Sequence, residues 1–120
     1  MKKSHRKNFD SWNKKKKVLN GNEVGYDFFF NEKDVWWCSI GVNVGSEIDG
    51  KNNHFERPVL ILKKINKEQF FGVPITPKPR KGFYYFPFTY SNNIHERVAC
   101  LSQLRVFSSK RILRKSGMIS

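Results

Sequence analysis

The polar residues best placed for chemistry lie at the ends of two apolar segments. Arg57 stands directly before Pro58, and a proline restricts the backbone of the preceding residue to extended conformations. A guanidinium held in this way can grip a phosphate through two parallel hydrogen bonds. Thr76 closes the next apolar segment, and Gly45-Ser46-Glu47 leads into the polar loop before Arg57. These residues predict a candidate phosphate-binding site at strand and loop edges.

Each of these residues also has an ordinary structural interpretation. Arg57 can form a surface ion pair with Glu56 or Glu47, and spacing alone favours that pair over catalysis. Thr76 can be a hydroxyl that simply ends a strand. Catalysis by these residues is therefore a hypothesis that spacing alone does not establish.

Other catalytic arrangements find little support in the sequence. The three histidines, His5, His54 and His95, are scattered without metal-ligand spacing to the cysteines, so no metal site is predicted. No glycine-rich phosphate loop and no nucleophile elbow occur. A nucleophilic pair of Cys38 or Cys100 with His95 stays open, although both cysteines stand in apolar segments that favour buried, reduced thiols.

Length and composition predict one small domain with a short extension. The chain has 120 residues, of which 38% are hydrophobic and 15% aromatic, enough to bury a core. No apolar run approaches the ~18 residues of a membrane span, and no apolar signal segment follows the basic N-terminus. We therefore expect a cytoplasmic protein that does not engage a membrane.

From about Gly25 onward, short β-type segments alternate with turn residues. Five segments are rich in valine, isoleucine and aromatic residues and are bounded by Gly, Asn, Pro or Lys clusters. They predict a mainly β domain at residues 25–120, with a bent antiparallel sheet that closes into a partial barrel. Pro74 and Pro87 fit only at strand edges or bulges. The predicted strands are 34–40, 58–64, 69–75, 83–90 and 98–101.

A basic extension, residues 1–24, precedes this domain. Its apolar residues predict one short helix from about Phe9 to Leu19, separate from the domain, with Asp10 or Ser11 as its N-cap. Two alternatives are open for its Trp12 and Phe9, which pack either on the barrel or on RNA. A single helical turn is also predicted near the other end of the chain, at residues 110–113.

The positive charge is concentrated in two flanks of a chain whose formal net charge is +13. Residues 1–20 carry eight basic groups against Asp10, residues 105–120 carry five and no acid, and residues 21–104 have a net charge of +1. Basic flanks attract polyanions, of which nucleic acid is the commonest in a cytoplasm. The alternative is a surface that only keeps the protein soluble, and the run Lys14–Lys17 is weak evidence against it.

Several short segments along the chain occur in a characteristic order. They are Asp34–Trp37, Asn43–Glu47, Arg57–Leu62, Val73–Thr76, Phe86–Phe88, Val98–Arg105 and Lys110–Ile112. In this order they resemble the MazF/PemK/Kid family of toxin–antitoxin ribonucleases. The resemblance covers about residues 32–119, and the combined order of the motifs is far more specific than any single motif.

The resemblance implies a fold, an activity and partners. The fold is an SH3-like barrel of about five to seven antiparallel strands with short helices, in a homodimer. The activity is sequence-specific cleavage of single-stranded RNA by 2′-hydroxyl attack, without a metal or cofactor. The partners are RNA and a cognate acidic antitoxin protein, with operator DNA bound only through the antitoxin complex.

Position by position, the resemblance also implies functional residues. Arg57 matches the catalytic arginine and would stabilise charge on the phosphate, and Thr76 matches the catalytic threonine and would orient it. Glu47, near the substrate groove, is the candidate general base. The side chains expected to bind RNA are Ser46, Lys78, Arg80, Lys81, Gln103 and Arg105.

Departures from the family pattern bear on these expectations. The loop Ile48–Glu56 is longer than in most members and borders the groove, so the RNA cleavage motif does not transfer. Ser102 stands where many members carry an acid. The chain is expected to lack the C-terminal helix that usually supports the barrel. The basic extension, which carries Trp12, has no counterpart in short members; it either binds RNA nonspecifically or only adds solubility.

Two hypotheses from different classes follow. The first is the endoribonuclease toxin, and the second is a catalytically silent SH3-like module that binds RNA or protein. The presence of both Arg57 and Thr76 favours the nuclease, because a binding module has no need of that pair. The longer loop and the missing helix favour the binding module.

Overall fold

In the computed structural model, which describes residues 6–22, 29–91 and 95–119, one α-helix precedes seven β-strands. The predicted mainly β class is confirmed. The helix α1 spans Phe9–Gly21. The strands are β1 Asp34–Ser39, β2 Glu56–Lys64, β3 Gln69–Thr76, β4 Tyr85–Phe88, β5 Arg97–Cys100, β6 Arg105–Ser108 and β7 Ile112–Met118, with 3₁₀ turns at Leu101–Gln103 and Ser109–Arg111.

The strands form one antiparallel sheet in the order β4-β5-β3-β2-β1-β7, with β6 also paired to β3. The outer side of β3 therefore has two partners: Gln69–Gly72 pair with β6, whereas Ile75 and Thr76 pair with β5. Pro74 lies between these two pairings, where the outer ladder is interrupted and a residue without an N–H is tolerated. Pro87 lies in β4, at one end of the strand order.

The last strand corrects an expectation from the sequence. The helical turn predicted at 110–113 is wrong beyond Arg111, because the chain there becomes β7 and pairs with β1. Ile112 lies opposite Cys38, and Arg114 lies opposite Trp37. The basic sequence of β7 hides its β character, since its hydrogen-bond partners come from a strand far away in the sequence.

The two middle strands, β2 and β3, are buried on both faces over the segments Glu56–Ile61 and Gly72–Thr76. Neighbouring residues of a strand point to opposite faces, so Val59 and Ile61 join one apolar cluster and Leu60 joins another. In the first cluster the Phe70 ring lies 5.3 Å from that of Phe30 and 5.6 Å from that of Phe107, between ring centroids. Burial on both sides makes β2 a rigid platform for the residues at its start.

The N-terminal helix packs through Trp12 on the loops that follow β1 and precede β2, while Phe9 is half exposed. Trp12 and Leu19 are buried, and the Trp12 ring lies 5.5 Å from the Phe55 ring. The N-cap is Asn8, whose side-chain oxygen accepts a hydrogen bond from Ser11 N at 3.1 Å, so the predicted caps Asp10 and Ser11 are wrong. Within the described ranges, no helix has the length and apolar character needed to span a membrane.

The contact between Trp12 and Gly41 should be essential to stability. Gly41 has a φ of +87°, and an added Cβ would overlap the indole of Trp12. Gly41→Ala should therefore lower the free energy of unfolding by about 2–4 kcal/mol, through backbone strain and displacement of the helix. Urea denaturation measures this loss.

Gly45→Ala is the matched control. Gly45 also has a positive φ, +56°, but an added Cβ there meets nothing within 4 Å. It should cost only the backbone part, about 1 kcal/mol. Equal losses in the two variants would contradict the packing of Trp12 on Gly41.

Candidate functional site

A cleft of about 210 Å³ opens where β2 begins and β3 ends. The two strands are adjacent and antiparallel, so the start of one meets the end of the other. This arrangement brings Arg57 and Thr76 into the same cleft. The other lining residues are Ser46, Ile48, Lys51, Lys78, Arg80, Tyr85, Cys100, Ser102 and Gln103.

The Arg57 side chain is buried and fixed by backbone oxygens. Its Nε donates to the carbonyl oxygen of Asp49 at 2.8 Å, and its Nη1 donates to that of Ile75 at 3.4 Å. Burial lowers the pKa of this guanidinium below its usual value, although an arginine stays protonated at neutral pH. Two of its three nitrogens are thus fixed by backbone oxygens, so the position of the guanidinium at the cleft is defined.

The ion pair expected from spacing is not formed. Glu56 and Arg57 are neighbours on β2, so their side chains leave opposite faces of the strand. Glu56 pairs with Arg114 of β7, with Nη1–Oε2 at 2.7 Å and Nη2–Oε1 at 3.2 Å. Glu47 Oε1 accepts from Val44 N at 2.9 Å. In the parts of the chain that the structure describes, Arg57 has no ion pair.

The Glu56–Arg114 pair should make stability depend on acid. The hydrogen bond from Arg114 lowers the pKa of Glu56, and burial opposes this shift less strongly. A lowered carboxyl pKa contributes stability above the unfolded pKa of about 4.3, and this contribution is lost as pH falls through the folded value. Glu56→Gln should be less stable than wild type at pH 7 and should lose less stability between about pH 5 and pH 3.

Glu68→Gln is the control for this acid dependence. Glu68 is exposed and has no ion pair in the described residues. Its replacement should leave the curve of unfolding free energy against pH close to that of wild type. If Glu56→Gln and Glu68→Gln gave the same curves, the role assigned to the Glu56–Arg114 pair would be wrong.

Several residues predicted to bind RNA do meet at the cleft. Ser46, Lys78 and Arg80 line it beside Arg57 and Thr76. Thr76 Oγ1 accepts a hydrogen bond from Lys78 N at 3.3 Å. A hydroxyl that accepts one hydrogen bond keeps its own proton to donate, so Thr76 can also donate to a ligand in the cleft.

Other predicted residues lie outside this cleft. Glu47 and Arg105 line a neighbouring hollow of about 370 Å³, which shares Ser46 and Gln103 with the cleft. Lys81 is exposed and lines neither space.

Gln103 lines both spaces, but its amide is already committed to the loop. Its Oε1 accepts from Ile48 N at 3.1 Å, and its Nε2 donates to the oxygen of Ser46 at 3.4 Å. The side chain therefore positions the loop beside the cleft.

Lys51 is the most informative residue that the sequence did not single out. A short turn places Lys51 at the wall of the cleft. Lys51 N donates to Glu56 O at 2.8 Å, and Glu56 N donates to Lys51 O at 2.9 Å. The pKa of Lys51 is lowered, first by desolvation and then by the charges of Arg57, Lys78 and Arg80. No spacing rule could have found it, because it depends on how the loop 48–56 folds back.

Lys7 ties the N-terminal segment to this loop. Its Nζ donates to the oxygens of Asn43 and Gly45, the latter at 2.8 Å, and lies 3.4 Å from Asp49 Oδ2. Asp49 Oδ1 in turn accepts from Asn43 N at 2.7 Å. Since the carbonyl of Asp49 holds Arg57, Lys7 supports the catalytic candidate indirectly.

Lys7→Met should loosen the loop without unfolding the protein. We expect faster hydrogen exchange at the amides of Asn43 and Val44, by about tenfold, which corresponds to one charge-assisted hydrogen bond of about 1.5 kcal/mol. Lys14→Met, which changes an exposed lysine on α1, is the control and should leave both amides unchanged. Unaltered exchange in Lys7→Met would show that Lys7 does not hold the loop.

The cysteines do not favour thiol chemistry. Both are free and buried, and burial raises the pKa of each thiol, so the reactive thiolate is disfavoured. Cys38 Sγ donates to Trp36 O at 3.6 Å, and Cys100 lines the cleft.

Among residues 6–22, 29–91 and 95–119, no three His, Cys, Asp or Glu side chains cluster to hold a metal ion. His5 lies outside these ranges.

Comparison with known proteins adds no relative. No family model matches the chain, and no curated protein matches it. Function is therefore inferred from the residues of the cleft and from the order of the sequence motifs.

Proposed function

We propose that this protein is a metal-independent endoribonuclease of the MazF/PemK/Kid type, the toxin of a toxin–antitoxin pair. The observation that carries the proposal is the common cleft of Arg57 and Thr76. These are the two residues to which the motif order assigns catalysis, and they come from different strands. The antiparallel pairing of β2 and β3 brings them together, and the burial and hydrogen bonds of Arg57 hold its side chain at the cleft.

The charge of the cleft supports a polyanionic substrate. Of the described residues that line it, four have cationic side chains and none has a carboxylate. Such a concentration of one sign attracts phosphates and raises their local concentration. The cationic residues are Lys51, Arg57, Lys78 and Arg80.

The cleavage step uses the 2′-hydroxyl that distinguishes RNA from DNA. The 2′-oxygen forms a bond to the adjacent phosphorus while the bond from phosphorus to the 5′-oxygen breaks. The products are a 2′,3′-cyclic phosphate and a 5′-hydroxyl end. Arg57 stabilises the negative charge that develops on the phosphate oxygens, and Thr76 donates its free hydroxyl proton to one of them.

Two proton transfers accompany this step. Glu47 is the proposed base for the 2′-hydroxyl, and it acts on RNA that spans the cleft and the neighbouring hollow, which meet at Ser46. Lys51 stands in the cleft beside Arg57, and its lowered pKa suits it to protonate the departing 5′-oxygen.

The proposal includes the closure of the sheet into an SH3-like barrel. Its support is β3, which pairs with β6 along Gln69–Gly72 and with β5 at Ile75 and Thr76. A strand shared between two parts of a sheet makes a corner, as strands of small barrels do. The homodimer belongs to the same proposal, as does an acidic antitoxin whose flexible segment would order along the basic cleft.

Arg57→Ala should abolish cleavage with little loss of RNA affinity, because one cation among many barely changes the basic field. We expect the rate to fall by at least about 10²–10³, the loss seen when one oxyanion donor is removed. The assay uses a long single-stranded RNA in excess EDTA, with the ends of the products mapped. Cuts at a recurring short motif with 5′-hydroxyl ends support the proposal, whereas uncut RNA in the wild-type reaction contradicts it.

Companion variants separate chemistry from folding and binding. Thr76→Val keeps the size of the side chain and removes its hydroxyl, so it should slow cleavage while the protein stays folded. Arg80→Ala removes an exposed cation from the same cleft and should weaken binding more than the cleavage of bound RNA. A parallel fall of binding and cleavage in Arg57→Ala would contradict its catalytic role.

A silent RNA-binding module is the second candidate. The observation that favours it is the position of Glu47, which lines the neighbouring hollow and accepts a hydrogen bond from Val44 N. Bound but intact RNA in the wild-type assay would decide for this candidate.

A further inference from the structure

A second, larger cleft lies on the other side of Arg57. Its volume is about 820 Å³, and it runs between the start of α1 and the loop 49–55. The charged residues that line it are Arg6, Lys7, Lys15, Asp49, Lys51 and Arg57.

The two clefts are joined by common walls. Lys51 and Arg57 line both of them. Cationic side chains therefore continue from Lys78 and Arg80, across the candidate catalytic arginine, to the N-terminal helix. The field of these neighbours contributes to the lowered pKa of Lys51, as a continuous positive potential requires.

Most of the positive charge in the second cleft is unneutralised. Lys7 pairs with Asp49, the only acid among the described residues that line the cleft. Arg6, Lys15 and Lys51 have no ion pair with any residue in the described portion of the chain. The remaining lining is rich in side-chain amides and hydroxyls that can donate to phosphate oxygens.

The lysine run of α1 is divided among different surfaces. Asn8, Ser11 and Lys15 follow one another at spacings of three and four, so they share the helix face that lines this cleft. Lys16 and Lys17 line a separate hollow near Arg111. One member of the run, Lys15, is thus directed into the second cleft.

We propose that this second cleft binds the phosphate backbone of single-stranded nucleic acid on one side of the cut, so that the N-terminal extension lengthens the RNA site. The cut position rests on the proposed nuclease function, but the binding itself does not. The extension then contributes affinity for longer RNA without touching the reacting phosphate.

The test compares two double variants that each remove two charges. Arg6→Gln/Lys15→Gln strips the second cleft, and Lys14→Gln/Lys17→Gln strips α1 of two lysines that line neither cleft beside Arg57. The probes are 2′-O-methyl RNA oligomers of about 4 and about 16 nucleotides, which lack the attacking hydroxyl and cannot be cut. Dissociation constants are measured over a range of salt concentrations.

We expect the cleft variant to bind the long probe about tenfold more weakly at low salt. The slope of log K against log salt should flatten by about 1.4, because each phosphate contact to single-stranded nucleic acid contributes about 0.7. The control pair should change the slope by less than half of this, and neither pair should affect the short probe. Both pairs replace lysines or arginines by glutamine on the surface, and thermal unfolding confirms equal folding.

Equal losses in the two double variants would overturn the proposal, since they would show only a general basic field. Loss on the short probe, or no loss on the long one, would also overturn it. Because the probes cannot be cleaved, these outcomes are independent of the nuclease assay. If the wild-type protein cut no RNA but the two double variants still differed in binding, the proposed nuclease function would be wrong and the proposed role of the second cleft would be supported.

Discussion

The fixing of the Arg57 guanidinium by two backbone oxygens is the constraint on which the site depends. One oxygen belongs to Asp49 in the loop before β2, and the other belongs to Ile75 near the end of β3. A buried cation needs such partners, because an unsatisfied one would cost several kcal/mol. The same two bonds hold the loop and the strand end in place, so the chemistry of the cleft and its geometry have a common origin.

Distant parts of the chain contact the same loop, residues 48–55, whose Asp49 carbonyl fixes Arg57. Lys7 ties the N-terminal segment to Asp49, and Gln103 fastens the loop from the opposite side through Ile48 and Ser46. On the other face of β2, Glu56 is clamped by Arg114 of the last strand. These contacts give the loop 48–55 a defined shape. Its Lys51 lines both basic clefts, so the loop forms a wall between them.

Much of the fold could be predicted from local patterns, and the failures have physical reasons. Strands such as β2 and β3 can be predicted because burial of both faces along much of their length makes most of their residues apolar. β7 was missed because its Arg114 and Lys115 take partners from Glu56 and Asp34, which only the tertiary fold brings near. Arg57 and Thr76 could be proposed from motif order, whereas Lys51 enters through a turn that no spacing records. Residues 25–28, 92–94 and 120 of the predicted domain, and residues 1–5 and 23–24 of the predicted extension, lie outside the described residues.

Side chains alternate between the two faces of β2, so the pairing register of this strand decides whether an acidic or a basic side chain enters the cleft. Glu56 and Arg57 are consecutive, so a slip of one residue would send the carboxylate into the cleft and turn the guanidinium toward Arg114. The guanidinium would then repel Arg114 on one face, and on the other face the carboxylate would neutralise part of the positive charge of the cleft. A change of length within β2 would therefore invert the site, whereas one within residues 48–55 would leave the register of the strand intact. Length variation in this loop can reshape the cleft, while the register of β2 keeps the guanidinium of Arg57 on the cleft side of the strand.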